Sequence, residues 1–202
     1  MANRDVLAIG TSAGGVQALR FLAARFPGDL SAAVLVTIHL SADVRSPLDE
    51  ILTAAGALPA SFTADGERVE RRRIYLAPPA RHLILDGDRL RLGLGPRENH
   101  ARPAIDPMFR SVALCCGARA IGVVLTGTLG DGASGLKALK DCGGVTVAQD
   151  PADAAYPEMP ETALRLAAPD HVAKLSEMPA LLERLVEHPM GEPRMPPRTH
   201  PL

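Results

Sequence analysis

The sequence predicts an α/β fold in which a doubly wound, mostly parallel sheet is flanked by helices and carries a β-hairpin insertion. Short apolar runs rich in β-branched residues alternate along most of the chain with longer segments whose apolar residues recur at helical spacing. Between about residues 60 and 93 the runs are short and extended instead. This change of pattern predicts a hairpin that interrupts the βα alternation.

The first half of the chain contains two strand–helix units. Residues 6–10 (VLAIG) predict a buried strand, and residues 15–26 predict a helix. The apolar positions of this helix share one face: Val16, Leu19, Leu22 and Phe26. The β-branched run at 32–40 predicts a second strand. Residues 46–56 begin with Ser-Pro and end with Gly, which predicts a second helix with both boundary signals.

The second half returns to alternation after the hairpin. The hairpin turn is predicted at 86–88 (DGD), between two alternating stretches. The segments that follow predict helices and strands in turn: 106–117, 120–127, 132–144, 145–150, 159–167, 171–175 and 176–188. Right-handed crossovers then place helices on both faces of the sheet. We expect one domain over 1–188 and a flexible, proline-rich tail over 189–202.

Composition excludes several classes of protein. The chain of 202 residues is 47% hydrophobic, has a net charge of −1 and lacks tryptophan, which argues against a nucleic-acid binder. The basic run at 71–73 is typical of a solvated face. Three cysteines without C-x-x-C spacing (Cys115, Cys116 and Cys142) predict reduced thiols and no metal site. The leader MANRD carries no signal sequence, so we expect a cytoplasmic protein without membrane insertion.

The glycine-rich turn IGTSAGG at 9–15 is compatible with a phosphate cradle or with the support of a nucleophile. A dinucleotide fingerprint requires G-x-G-x-x-G, and a P-loop requires Gly-Lys-Ser/Thr; neither pattern occurs here. Asp29 has the right offset from the turn for a ribose ligand, but it precedes the second strand instead of following it. The turn alone is therefore weak evidence for a nucleotide.

Three predicted strand ends carry complementary chemistry. Ser12 follows the first strand, His39 follows the second, and Asp131 follows the strand at 120–127. Carboxyl ends of parallel strands meet at one rim, so these side chains are the parts of a serine triad. Each also has a plain structural interpretation: a helix cap, a strand-end histidine and a turn residue. The chain order Ser, His, Asp differs from that of the α/β-hydrolases.

Five segments together resemble the catalytic domain of the chemotaxis protein-glutamate methylesterases, the CheB family: AIGTSAGGVQAL, TIHL, DGERVERRRIYLAPPARHL, ARPAIDPMF and GVVLTGTLGDGASGL. The likeness runs from about residue 6 to about residue 185. It implies a doubly wound α/β fold and no cofactor. It also implies that Ser12 is the nucleophile, that His39 is the general base and then the general acid, and that Asp131 orients the imidazole.

The resemblance also implies a substrate and partners. The family hydrolyses methylated glutamate on the helices of chemoreceptors, releasing methanol, and many members deamidate receptor glutamine. An amide of Ala13, at the start of a helix, is our leading oxyanion donor, and Gly14 allows close backbone approach. Thr128 stands where two-domain members have Met, which leaves the second donor open. Arg102 is a candidate for substrate positioning, with an ion pair to Asp106 or to another carboxylate as the alternative.

Two further functions remain open on the sequence: a non-catalytic receptor-binding module and a small-molecule carboxylesterase. Regulation is a separate expectation. The well-known family members carry an N-terminal phospho-receiver domain, and only five residues precede the first predicted strand here. We therefore expect that the chain is not gated by its own phosphorylation and that any control comes from a regulatory partner protein or from expression.

Overall fold

The computed structural model describes residues 3–40 and 46–188, so the predicted tail at 189–202 lies outside the described residues. The strands are β1 (Val6–Thr11), β2 (Ala33–Ile38), β3 (Ala60–Phe62), β4 (Ile74–Leu76), β5 (His82–Asp86), β6 (Arg89–Gly93), β7 (Ala120–Val124), β8 (Val145–Gln149) and β9 (His171–Ala173). The helices are α1 (Gly15–Ala23), α2 (Leu48–Ala55), α3 (Ile105–Cys116), α4 (Ala133–Asp141), α5 (Glu158–Ala167) and α6 (Met178–Glu187).

The main sheet is parallel and reverses its strand order at its centre. Its order is β3-β4-β2-β1-β7-β8-β9, and every neighbouring pair is parallel. Strands β1 to β4 form one half of the sheet, with β4 between β2 and the edge strand β3, and the chain then returns to the centre at β7 to form the other half with β8 and β9. The carboxyl ends of β1 and β7 therefore flank a topological switch point, where open α/β sheets bind their ligands.

The core lies in two layers, one on each face of the sheet. Alternate residues of β1 enter different layers: Leu7 and Ile9 pack with α1, α2 and α6, whereas Val6 and Ala8 pack with α3, α4 and α5. The strand is buried on both faces, which is why it reads as a continuous apolar run. The predicted doubly wound fold with helices on both faces is confirmed.

The hairpin insertion is confirmed as well. Strands β5 and β6 pair antiparallel and turn at Gly87, which has a φ of 61°. The hairpin packs against α3 through buried leucines, and the amide of Leu85 donates to the hydroxyl of Ser111 at 2.9 Å. It therefore extends the core on the face that holds α3.

One helix prediction is wrong at its end. Helix α1 stops at Ala23, and Val16, expected on its buried face, is 37% exposed. Phe26 lies beyond the helix but is still buried, because its amide bonds to the carbonyl of Leu22 and the chain folds back onto the core. In the part of the chain that the structure describes, no helix is both long and apolar enough to cross a membrane.

Candidate active site

Ser12 lies in a tight turn between β1 and α1. Its amide donates to the carbonyl of Thr126 at 3.0 Å, and its own carbonyl accepts the amide of Gly15 at 2.9 Å. Gly14 precedes α1 with a φ of 75°, a left-handed conformation that glycine adopts without strain. The turn holds the half-buried serine at the N-terminus of α1, at the switch point of the sheet.

His39 connects Ser12 to Asp131. Its Nδ1 lies 3.0 Å from the Oγ of Ser12, and its Nε2 lies 2.7 Å from Oδ2 of Asp131. An ionised carboxylate only accepts hydrogen bonds, so Nε2 carries the proton and donates it to Asp131. Nδ1 is then an unprotonated acceptor for the serine hydroxyl. The structure brings together the three side chains on which the sequence prediction rests.

Asp131 is buried and fully hydrogen-bonded. Besides His39, its Oδ2 accepts the amide of Ile105 at 2.7 Å, and its Oδ1 accepts the amide of Asp106 at 3.2 Å and the Nδ2 of Asn99 at 2.8 Å. Ile105 and Asp106 are the first two residues of α3, whose N-terminal amides have no partner within the helix. The carboxylate therefore accepts hydrogen bonds both from the free amides at the start of α3 and from the imidazole of His39.

The charge of Asp131 is stabilised by these donors. Burial alone would raise the pKa of this carboxyl, but the hydrogen bonds from His39 and from the amides of Ile105 and Asp106 outweigh it and hold the pKa below its usual value. Asp106 shows the opposite balance. Burial, together with the nearby charge of Asp131, raises the pKa of the Asp106 carboxyl. Asp131 is thus the carboxylate suited to stay ionised beside the imidazole.

Asn99 is a site residue that the sequence analysis missed. Its Nδ2 donates one hydrogen to Oδ1 of Asp131 and the other to Oδ2 of Asp106, at 2.8 and 2.9 Å. Asp106 is held in turn by the amide of Gly135 in the first turn of α4, at 2.6 Å. Asn99 has a φ of 48°, and it sits in an irregular segment that no strand or helix pattern marks.

Two segments near Ser12 carry backbone amides that have no hydrogen-bond partner among the described residues. In the loop after β7, the amides of Thr126, Gly127 and Leu129 donate to Gln149, Tyr156 and Glu158, respectively. The amide of Thr128, between them, makes no hydrogen bond within the described residues. The same holds for the amides of Ala13 and Gly14 on the other side, as far as the described ranges go.

Gly127 brings the two sides into contact. A Cβ at this position would lie 2.9 Å from the Cβ of Ser12 and 2.1 Å from the Sδ of Met159. Only a residue without a side chain lets the loop after β7 pass so close to the serine. Thr128, the next residue, is consequently held at the edge of the site.

A cleft of about 500 Å³ opens beside His39. Arg102 lines it and donates from Nη1 to the carbonyls of Gly95 and Leu94, at 2.9 and 3.3 Å. The alternative expectation for Arg102, an ion pair with Asp106 or another carboxylate, is wrong: within the described residues Arg102 bonds to the two carbonyls, and the Asp106 carboxylate bonds to Asn99 and to the start of α4.

Neither His82 nor His100 competes with His39 for the serine. His82 is buried and bonds through its ring nitrogens to the carbonyl of Pro96 and the amide of Ala104. His100 is exposed and lines the cleft. Across residues 3–40 and 46–188, no group of three or more His, Cys, Asp or Glu side chains is arranged to hold a metal ion.

The fold and the site define a class: a doubly wound α/β protein whose switch point joins serine, histidine and aspartate in the manner of serine hydrolases. Comparison with known proteins gives the family. Residues 7–182 match the model of the CheB methylesterase family, and the chain belongs to that family. The crystal structure of the Thermotoga maritima CheB methylesterase catalytic domain superposes with a TM-score of 0.86 at 26% identity, covering 92% of this chain and 100% of that one.

Curated relatives agree with this assignment. A protein-glutamate methylesterase/protein-glutamine glutaminase of Maricaulis maris is 36% identical over 91% of this chain and 47% of its own length. A putative protein of the same name from Leptospira interrogans is 32% identical over 91% of this chain and 95% of its own length. The chain therefore spans about half of the first relative and nearly all of the second.

Proposed function

We propose that this chain is a serine esterase that hydrolyses glutamate γ-methyl esters in a protein substrate, with Ser12, His39 and Asp131 as its catalytic triad. The observation that carries the proposal is the position of His39, which has Ser12 Oγ on one ring nitrogen at 3.0 Å and Asp131 on the other at 2.7 Å. If Ser12 were only a helix cap and Asp131 only a turn residue, nothing would require both side chains to bond to the imidazole of His39.

The geometry supports acyl transfer in two steps. The Oγ of Ser12 attacks the ester carbonyl and transfers its proton to Nδ1 of His39, while Asp131 stabilises the imidazolium. Nδ1–H then protonates the departing methoxide, which leaves as methanol and forms the acyl-enzyme. Water, deprotonated by Nδ1, attacks the acyl carbon, and the returned proton releases Ser12 and the glutamate.

Developing charge on the ester oxygen requires donors aimed at it. We assign this role to the amides of Ala13, which follows Ser12, and Thr128, which follows the Gly127 that contacts Ser12; neither amide has a partner in the described part of the protein. Gly14 supports the first donor, because its left-handed conformation starts α1 and its helix dipole favours negative charge at the serine. The assignment uses the backbone of Thr128, so the change of side chain at this position is tolerated.

The substrate class follows from the names of the relatives, protein-glutamate methylesterase and protein-glutamine glutaminase. We extend both to this chain: it acts on methylglutamate in chemoreceptor helices and, by the same acyl chemistry, on glutamine with ammonia as the leaving group. The reaction belongs in the cytoplasm. Control by a regulatory partner protein is part of the proposal.

The test measures methanol released from a receptor fragment methylated in vitro, together with labelling by a fluorophosphonate probe. We expect release and labelling with the natural chain, and neither with Ser12→Ala. Ser31→Ala, an exposed serine before β2, serves as the matched control and should retain both. Probe labelling without methanol release would favour a small-molecule esterase. Receptor binding without labelling would favour a binding module.

A further inference from the structure

The cleft beside His39 has a charge that the triad does not explain. Its lining by described residues includes two arginines, Arg97 and Arg102, and no carboxylate side chain. Acidic side chains near the cleft bond to other groups. Both carboxylate oxygens of Glu98 accept from Nη2 of Arg110 at 2.8 Å, and Asp106 and Asp131 accept backbone amides at the starts of α4 and α3, respectively. The described lining of the cleft therefore carries positive charge beside His39, the residue that contacts Ser12.

Neither arginine has an anionic partner among the residues that the structure describes. Arg97 is exposed and makes no hydrogen bond or ion pair with any described residue. Arg102 is half-buried and fixed by the two carbonyls on Nη1, but its Nε is buried and has no partner among the described residues. The two carbonyls hold the Arg102 guanidinium at the wall of the cleft but do not neutralise its charge.

We propose that this cleft is a carboxylate subsite that binds an aspartate or glutamate side chain of the substrate close in sequence to the reacting methylglutamate. The inference rests on the proposed function, because it takes the substrate to be a protein segment. His39 and Arg102 line the same cleft, so a segment with its ester at Ser12 extends past the arginines. The planar guanidinium fork matches a carboxylate in geometry and charge, which makes a glutamate a better occupant than a glutamine.

The contribution is modest because the cleft is open to solvent. Exposed ion pairs are weak and screened by salt. We expect about fivefold tighter binding of an acidic segment over its amide counterpart, with the preference shrinking in 0.5 M salt. The two arginines act on binding and leave the acyl chemistry to the triad.

The experiment measures dissociation constants by fluorescence anisotropy in the Ser12→Ala background, so that turnover does not interfere. Two labelled peptides carry glutamine at the reacting position and either glutamate or glutamine at the positions within four residues of it. We compare the ratio of the two dissociation constants in the Ser12→Ala background with the same ratio in double variants that also carry Arg97→Gln, Arg97→Glu or Arg102→Gln. Arg184→Gln, an exposed arginine of α6 outside the cleft, is the control.

We expect the ratio to fall towards one with Arg97→Gln and Arg102→Gln, to invert with Arg97→Glu, and to stay unchanged with Arg184→Gln. Equal affinity for both peptides before the arginines are changed, or a ratio that none of the cleft variants alters, would overturn the subsite. Arg97 makes no contact that the fold needs, so misfolding cannot explain its result. Failure of the proposed function gives a separate result, the absence of methanol release by the natural chain.

Discussion

Asn99→Ala removes one of the four hydrogen bonds that the Asp131 carboxylate accepts. The donor is the Nδ2 of Asn99, 2.8 Å from Oδ1, on the oxygen that does not face His39. The same amide bridges to Asp106, so its loss leaves two buried carboxylates facing each other without a donor between them. We predict a slower enzyme with an intact fold, because Asp131 then holds the imidazole less firmly.

The size of the effect follows from the bonds that remain. A hydrogen bond to a charged group contributes about 1.5–3 kcal/mol, which corresponds to about 10- to 150-fold in rate if all of it is lost in the transition state. His39 and the amides of Ile105 and Asp106 still hold the carboxylate. We therefore expect a loss of rate at the lower end of this range, a decrease of about tenfold in kcat with little change in KM.

Backbone strain is the competing explanation and has its own control. Asn99 has a φ of 48°, a conformation that asparagine tolerates better than alanine does. Asn99→Gly removes the same amide without that strain, so both variants should lose the same fraction of kcat in the methanol-release assay. The reasoning is refuted if kcat is unchanged in both variants, or if only the alanine variant is slow.

Three more predictions concern the same rim. Thr128→Val keeps the amide and removes the hydroxyl, so kcat should stay within about threefold if the backbone is the oxyanion donor; a large loss would assign the role to the hydroxyl. Gly127→Ala places a Cβ 2.1 Å from Met159 Sδ, so the free energy of unfolding, measured by thermal unfolding, should fall by about 1–3 kcal/mol. Gly28→Ala is the control, because its Cβ has room, and it should lower the free energy of unfolding much less. Asp131→Asn should lower kcat by up to about 10⁴-fold. The pKa of Asp131 is depressed in the folded protein. Its carboxylate therefore stabilises the protein above the unfolded-state pKa of about 3.9, and this contribution to the free energy of unfolding is lost as pH falls through the folded-state pKa. The difference in free energy of unfolding between the natural chain and Asp131→Asn should be largest at pH 7 and should vanish in acid.

The alternation of apolar runs and helical periods was sufficient to predict the layered fold and the rim where function lies. Parallel strands place their carboxyl ends together, so residues that follow separate strands, such as Ser12 and His39, become neighbours by topology alone. Asp131 was predictable for the same reason, although it lies several residues beyond the end of β7. In each case a strand pattern pointed to the residue.

Asn99 had no such signal. It lies in the irregular stretch between β6 and α3, and its partners are a carboxylate 32 residues away and another seven residues away. Such contacts depend on how α3 and α4 meet, which periodicity does not specify. The same limit explains Arg102, where the sequence suggested an ion pair with Asp106 and the packing of α4 gave that carboxylate to an amide of Gly135 instead.

The pairing of β1 with β7 has a consequence for how the protein acquires its reactivity. His39 and Asp131 lie 92 residues apart along the chain, and neither helices nor the hairpin can bring them together early. Closing so long a loop is slow compared with forming local structure. A refolding chain should therefore regain its helical circular dichroism before Ser12 becomes reactive towards a phosphonate probe. Probe labelling then reports the last step of sheet formation, and we expect that a partly folded chain does not react with the probe.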